Sequence, residues 1–229
     1  MEIDYEILSA KIGAKMLESG AEIFRVEDTV KRILTFSGAR QINVFCISSL
    51  LIVKTERKEL IIRVENADIN LFEIERLNSL SRAICENRGI AHQKNRYSLP
   101  LKIFGIILAT GSFCLYFGGS IYDALFSGIA GVFISFFPSL VNSFFSKNLI
   151  SSALAGLLAF SFGAIFKGLN PDCIMIGTIM LLVPGLTISN SIRDIMTSDI
   201  LSGIIELIEA IFTALAIALG FALSVVIFR

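Results

Sequence analysis

The stretch LLVPGLTISNSIRDIM, Leu181–Met196, decides how this chain is read. It opens as sequence apolar enough for lipid and breaks at Pro184-Gly185. It then turns polar through Thr187, Ser189, Asn190 and Ser191, and ends on Arg193-Asp194. Proline removes a backbone donor and clashes with the preceding turn, so a helix entering this stretch is interrupted. In hydrocarbon the freed carbonyls need partners, which confines such a break to places facing protein or a water-filled cavity. The break carries meaning only if the stretch lies in a membrane, and the rest of the chain answers that.

The chain has 229 residues, 54% of them hydrophobic, and a mean hydropathy of +0.74. That is too apolar for an ordinary soluble domain. A net charge of zero hides a split: residues 1–100 carry 15 Lys+Arg and 14 Asp+Glu, whereas residues 101–229 carry 5 and 6. Beyond residue 100 the charges leave five free windows, 103–122, 124–146, 148–166, 173–192 and 210–228, of 20, 23, 19, 20 and 19 residues. A bilayer core of about 30 Å takes about 20 apolar helical residues. The expected fold is an α-helical polytopic membrane protein. A small α+β cytoplasmic domain covers residues 1–98, and five transmembrane helices follow over 99–229, at about 102–119, 121–144, 149–166, 173–192 and 203–228.

Basic residues near span ends set the orientation. Lys94, Arg96, Lys102, Lys147 and Arg193 fall inside if the N-terminus is cytoplasmic; Lys167 and Arg229 fall outside. The expected placement is a multi-pass protein of the cell inner or plasma membrane with its C-terminus outside. The acidic start, MEIDYEILSAK, lacks a basic region followed by an apolar core, so no cleavable signal is expected. In the third window Ala155, Ala159 and Gly163 recur at a spacing that admits a neighbouring helix closely, and Gly128 and Gly131 offer the same in the second.

In the charged part, Tyr5, Leu8, Ile12 and Met16 share a helical face, as do Ile23, Val26, Val30, Ile33 and Leu34. QINVFCI alternates, LLIVKT and ELIIRVE flank the turn ERK as a hairpin, and Leu71, Ile74, Leu77, Leu80 and Ile84 mark a last helix. The order is ααβββα. Glu27 with Lys31 and Asp28 with Arg32 are i,i+4 pairs in the favourable order, as on a solvated helix face. Cys46, Cys85, Cys114 and Cys173 show no C-x-x-C spacing and read as reduced, structural thiols. The single histidine, His92, sits in a polar linker without a metal partner, so no metal or cofactor is expected. The chain contains no H-E-x-x-H, no G-x-x-x-x-G-K-[ST] loop and no G-x-G-D aspartate pair, which argues against an enzyme and against an ATP-driven pump. Nothing in the sequence points to nucleic acid.

Two segments carry a resemblance. GAEIFRVEDTV, with Glu22, Arg25, Glu27 and Asp28, resembles the opening signature of the threonine/serine exporter (ThrE) family. LLVPGLTISNSIRDIMTSDILSGIIELIEA resembles that family's second signature. The resemblance covers nearly the whole chain. It implies export of small carboxylate-bearing metabolites, threonine- or serine-type amino acids or dicarboxylates such as succinate. It further implies a split form, in which this chain works with a second, small multi-span membrane subunit as part of an oligomer. It also implies a cytoplasmic role for Glu22, Arg25, Glu27 and Asp28.

With that resemblance, the interrupted fourth span reads as a substrate site. Discontinuous helices in transporters expose half-helix ends near the midplane, and an N-terminal end after Pro184-Gly185 suits a carboxylate. The expected substrate-binding residues are Pro184, Gly185, Thr187, Ser189, Asn190 and Arg193. Asp194, Glu206 and Glu209 are the expected proton-coupling groups, because a carboxylate within the bilayer costs about 2.5–3.5 kcal/mol and favours protonation. Glu209 is the first candidate, being the deepest. Arg193 pairs with Asp194 or Glu206, or holds its loop in the cytoplasm. Asp123 and Asp172, at the outer ends of spans, are expected to be solvated. The alternative is a non-transporting scaffold or regulatory subunit whose N-terminal domain does the binding.

Overall fold

The computed structural model describes residues 4–64, 69–86, 98–136, 144–197 and 199–228. His92, Lys94, Arg96 and Arg229 fall outside them. The chain divides into two compact units, one of residues 1–95 with 186–207, the other of residues 96–185 with 208–229. The described residues form nine helices and one antiparallel three-stranded sheet.

The first unit follows the expected element order. It holds α1 (Tyr5–Glu18), α2 (Ile23–Phe36), β1 (Asn43–Ile47), β2 (Leu50–Lys54), β3 (Glu59–Arg63) and α3 (Leu71–Cys85). The strands lie in chain order, with Phe45 opposite Ile52 and Ile52 opposite Ile61. Alternation sends Val44, Cys46, Leu51 and Val53 inward, where they meet Met16, Ile23, Val26, Val30, Ile33 and Leu34. Asp4 caps α1 by accepting from the Ile7 amide at 3.2 Å, and Asn70 caps α3 by accepting from the Glu73 amide at 3.1 Å. Thr55 in the β2–β3 turn donates to Glu6 at 2.7 Å and accepts from the Lys58 amide at 3.1 Å, while Lys58 pairs with Asp4. These contacts tie the hairpin to the start of α1. Gly13 lets α1 approach closely: a Cβ there would lie 2.6 Å from Val30 Cγ2. The two expected α2 pairs form, Lys31 with Glu27 at 2.7 Å and Arg32 with Asp28. The four cysteines are free thiols, and burial pushes the Cys46 thiol well up.

The second unit contains α4 (Leu99–Tyr116), α5 (Ile121–Phe136), α6 (Phe144–Ile165), α7 (Pro171–Ile179) and the later part of α9 (Ile200–Phe228). Among the described residues, three helices are long and apolar enough to cross a membrane: Leu99–Tyr116, Phe145–Ile165 and Ile200–Phe228, with mean hydropathies of 1.6, 1.7 and 2.6. α5 is apolar but has only 16 residues, about 24 Å at 1.5 Å per residue. The expected continuation of that span through 137–143 lies outside the described residues. Small residues serve the close contacts. Ala155 and Ala159 on α6 are fully buried. A Cβ at Gly156 would lie 1.9 Å from Ser224 Oγ, one at Gly220 2.0 Å from Ser152 Oγ, and one at Gly131 2.6 Å from Thr110 Cγ2.

One expectation is overturned here. Asp123 is not solvated: it is 2% exposed and accepts from the Ser120 amide at 2.7 Å, the Ser120 hydroxyl at 2.8 Å and the Asn170 amide at 2.7 Å. Its carboxylate closes the α4–α5 turn onto the start of α7, and three donors replace the water it loses. Asp172 is exposed, as expected.

Candidate functional site

The expected fourth span is not one rod. α7 ends at Ile179, residues 180–184 form irregular turns, and α8 runs Gly185–Met196. The break opens before the proline and not at it. Pro184 bars the α conformation from Val183, and the chain answers with tight turns. Leu182 N–H reaches Ile179 O at 2.6 Å and Gly185 N–H reaches Val183 O at 2.8 Å. Pro184 then stands immediately before α8, where a missing donor is harmless. Nothing in packing requires glycine at 185: a Cβ there would meet no atom within 4 Å, and its φ is not left-handed.

α8 carries most of the expected polar set. Thr187 and Asn190 are half-buried and Ser189 is exposed; among the described residues none of these three side chains forms a hydrogen bond. Ser191 is buried and donates to Ile188 O at 2.9 Å within its own helix, which leaves it less available.

The two motif segments meet within the first unit. Arg193 pairs with Glu22, a residue 171 positions away, and Arg25 lies 3.7 Å from the same carboxylate. Arg193 is expected to pair with Asp194 or Glu206, or to hold its loop in the cytoplasm; the structure places Glu22 beside it. Asp194 is 0% exposed, and among the described residues neither of its carboxylate oxygens has a hydrogen-bond partner. It stands near the Ile23 amide at the start of α2, a helix whose own N-cap residue Glu22 makes no side-chain cap. Negative charge is favourable at that end. Burial nevertheless dominates and pushes the Asp194 carboxyl up to about 6. The Asp199 carboxylate and then Glu22 add to the rise, while the Ile23 amide and Arg193 counter it. Asp199 is also held above the usual carboxylate range, by its own burial and then by Glu27, with Lys31 opposing. Asp199 O accepts from the Gly203 amide at 3.1 Å at the start of α9. A Cβ at Gly203 would lie 2.6 Å from Ser191 O, so α8 and the first turn of α9 are in close contact.

Sequence reasoning named Glu22 and Asp194 separately and missed that they are neighbours. It missed the Ile23 amide, since a backbone group at a helix start carries no side-chain pattern that marks it. Glu206 on α9 is half-buried, and Glu209 is exposed between the exposed Ile208 and Ile211. Among the described residues, no group of three His, Cys, Asp or Glu side chains could hold a metal ion.

Comparison with protein families matches residues 8–228 to the threonine/serine exporter family, ThrE. Among curated proteins and solved structures, none matches this chain. The match covers both motif segments and every helix between them, and the apolar helices suit a membrane transporter. This chain belongs to the threonine/serine exporter family.

Proposed function

We propose that this chain is the transporting subunit of a secondary exporter for small carboxylate-bearing metabolites, amino acids of the threonine/serine type or dicarboxylates such as succinate, coupled to protons. The observation that carries the reading is the interruption between α7 and α8, followed by Thr187, Ser189 and Asn190 with no hydrogen bond of their own. The helix that starts after the break presents first-turn amides without intrahelical partners, and the polar side chains on it can take a ligand. Pro184 and Gly185 shape the break, and Arg193 adds a cation for the carboxylate.

Proton coupling falls to Asp194, Glu206 and Glu209. Asp194 leads, because a dry, unpartnered carboxyl gains from taking up a proton. Five crossings are formed by α4, α5, α6, the interrupted α7–α8 segment and α9. α7 alone, about 14 Å long, is too short for a core of about 30 Å, so its crossing runs on through residues 180–184 into the first turns of α8. The excess of basic residues at one set of span ends supports a cytoplasmic N-terminal domain and an outside C-terminus. A second small multi-span subunit of the same family is the partner.

The test is radiolabelled-substrate flux in vesicles, with and without that partner and with and without a pH gradient. Asn190→Ala and Glu209→Gln are expected to abolish export at unchanged membrane abundance; normal rates in both would refute the site. Full transport by the partner alone would instead make this chain a scaffold.

A further inference from the structure

The sheet of the first unit ends on β3, and that edge is chemically self-complementary. The strand order β1–β2–β3 leaves β3 paired on one side only. The bonds from Val64 N–H to Ser49 O at 2.9 Å and from Thr55 N–H to Lys58 O at 2.8 Å fix the phase of the β2–β3 ladder. In antiparallel pairing, hydrogen-bonded pairs recur at every second residue. Lys58, Leu60, Ile62 and Val64 therefore turn their backbone groups toward β2. Glu59, Ile61 and Arg63 turn theirs to the opposite side. The side chains of these same three residues lie on the exposed face of the sheet, with Ile61 65% exposed. Ile61 ends a cross-strand row with Ile52 and Phe45, and Phe45 is itself 51% exposed.

An exposed apolar edge invites pairing, and proteins often block it with charged side chains, Lys above all. Here the charges have opposite signs and stand two residues either side of Ile61. We propose that β3 pairs with β3 of a second copy of this chain, antiparallel and centred on Ile61, joining the two three-stranded sheets into one. In that register Glu59 lies opposite Arg63 of the second copy, and Arg63 opposite its Glu59. Ile61 meets Ile61, and the edge-facing N–H and C=O groups of Glu59 and Ile61 gain partners across the chains. Arg63 can serve more than one acceptor, since a guanidinium carries five donors.

Other registers are worse. Centring on Glu59 or Arg63 sets like charge on like charge. Centring on Leu60 sets Arg57 against Arg63, and centring on Ile62 sets Ile61 against Arg63. Like charges directly opposite destabilise a sheet, and opposite charges stabilise it. The pairing is independent of the transport reading.

Cross-linking of the full chain in its membrane tests it, with Cys46, Cys85, Cys114 and Cys173 replaced by serine or alanine. A hydrogen-bonded antiparallel pair holds its Cα atoms about 5.5 Å apart, within the roughly 4.4–6.8 Å that a disulfide spans. Ile61→Cys is expected to give a covalent dimer of twice the chain mass on mild oxidation, and Leu60→Cys, facing the core, none. In the Ile61→Cys background, Glu59→Arg or Arg63→Glu alone is expected to abolish the dimer, and the two together to restore it. The 3.1 Å pair between Lys54 and Glu59 within one chain is lost in both the single and the double Glu59→Arg variants, so restoration cannot come through Lys54. No dimer from a membrane-inserted Ile61→Cys chain would overturn the proposal. So would a dimer indifferent to the charge swaps, or a cross-link to a different protein.

Discussion

Asp194 is the residue on which stability and function pull apart. Its carboxyl is raised to about 6 in the folded chain, above the ordinary value of 3.8. Between about pH 4 and pH 6 the folded form therefore binds more protons than the unfolded one. Stability contributed by this group is present at low pH and is lost as pH rises through that window. Asp194→Asn removes a buried charge that the Ile23 amide and Arg193 only partly offset. It is expected to raise the unfolding midpoint above about pH 6 by an amount worth about 1–3 kcal/mol, and to flatten the pH dependence below it. The same variant is expected to lose proton-driven export. Thermal unfolding across pH, measured beside vesicle flux, checks both; an unchanged midpoint with normal export would remove Asp194 from the mechanism. Arg193 and Glu22 offer a milder test. The guanidinium is largely exposed and the carboxylate 16% exposed, so the pair contributes about 0.2–1 kcal/mol. Arg193→Glu is expected to weaken the first unit, and adding Glu22→Arg to recover most of the loss, read as a double-mutant cycle.

Among the elements, the break between α7 and α8 and the contact of α6 with α9 make opposite demands on small residues. Gly220 is required by packing, because a Cβ there would lie 2.0 Å from Ser152 Oγ and 2.4 Å from Leu149 O. Gly220→Val is expected to destabilise the second unit by about 1–3 kcal/mol, seen as a lower midpoint in detergent. Gly185 faces open space, so Gly185→Ala is expected to leave that midpoint within about 0.5 kcal/mol. A loss of export in Gly185→Ala would then report on substrate and not on folding. The elements themselves were largely legible. Alternation in QINVFCI, the hairpin around ERK and the 3.6-residue period in α1, α2 and α3 named every element described within residues 1–95, because each buries one face against one core. The fourth apolar window was harder. Its composition is that of a span, and only the backbone reveals that the helix stops at Ile179, ahead of the proline.

For the whole molecule, the two compact units do not follow the change in composition near residue 100. Residues 186–207, beyond the apolar windows at 103–166, cluster with the charged N-terminal part. The segment that carries the polar side chains of α8 thus packs with the domain that carries Glu22 and Ile23. Deleting residues 1–95 is therefore expected to remove export and to expose α8, not to leave an autonomous transporter. Limited proteolysis of the truncated chain in vesicles checks this: cleavage within 186–207 is the expected sign, and continued protection with normal flux would contradict it.

What the sequence determined by itself is the class of the protein, the elements of residues 1–95 and the residue types available at the break. Hydropathy, periodicity and the chemistry of proline are local properties and can be read along the chain. The tertiary structure alone decided that Glu22 meets Arg193 across 171 positions, that Asp194 is dry, and that Asp123 is buried where water was expected. Burial and pairing depend on which distant surfaces meet, and no periodicity in the chain records that.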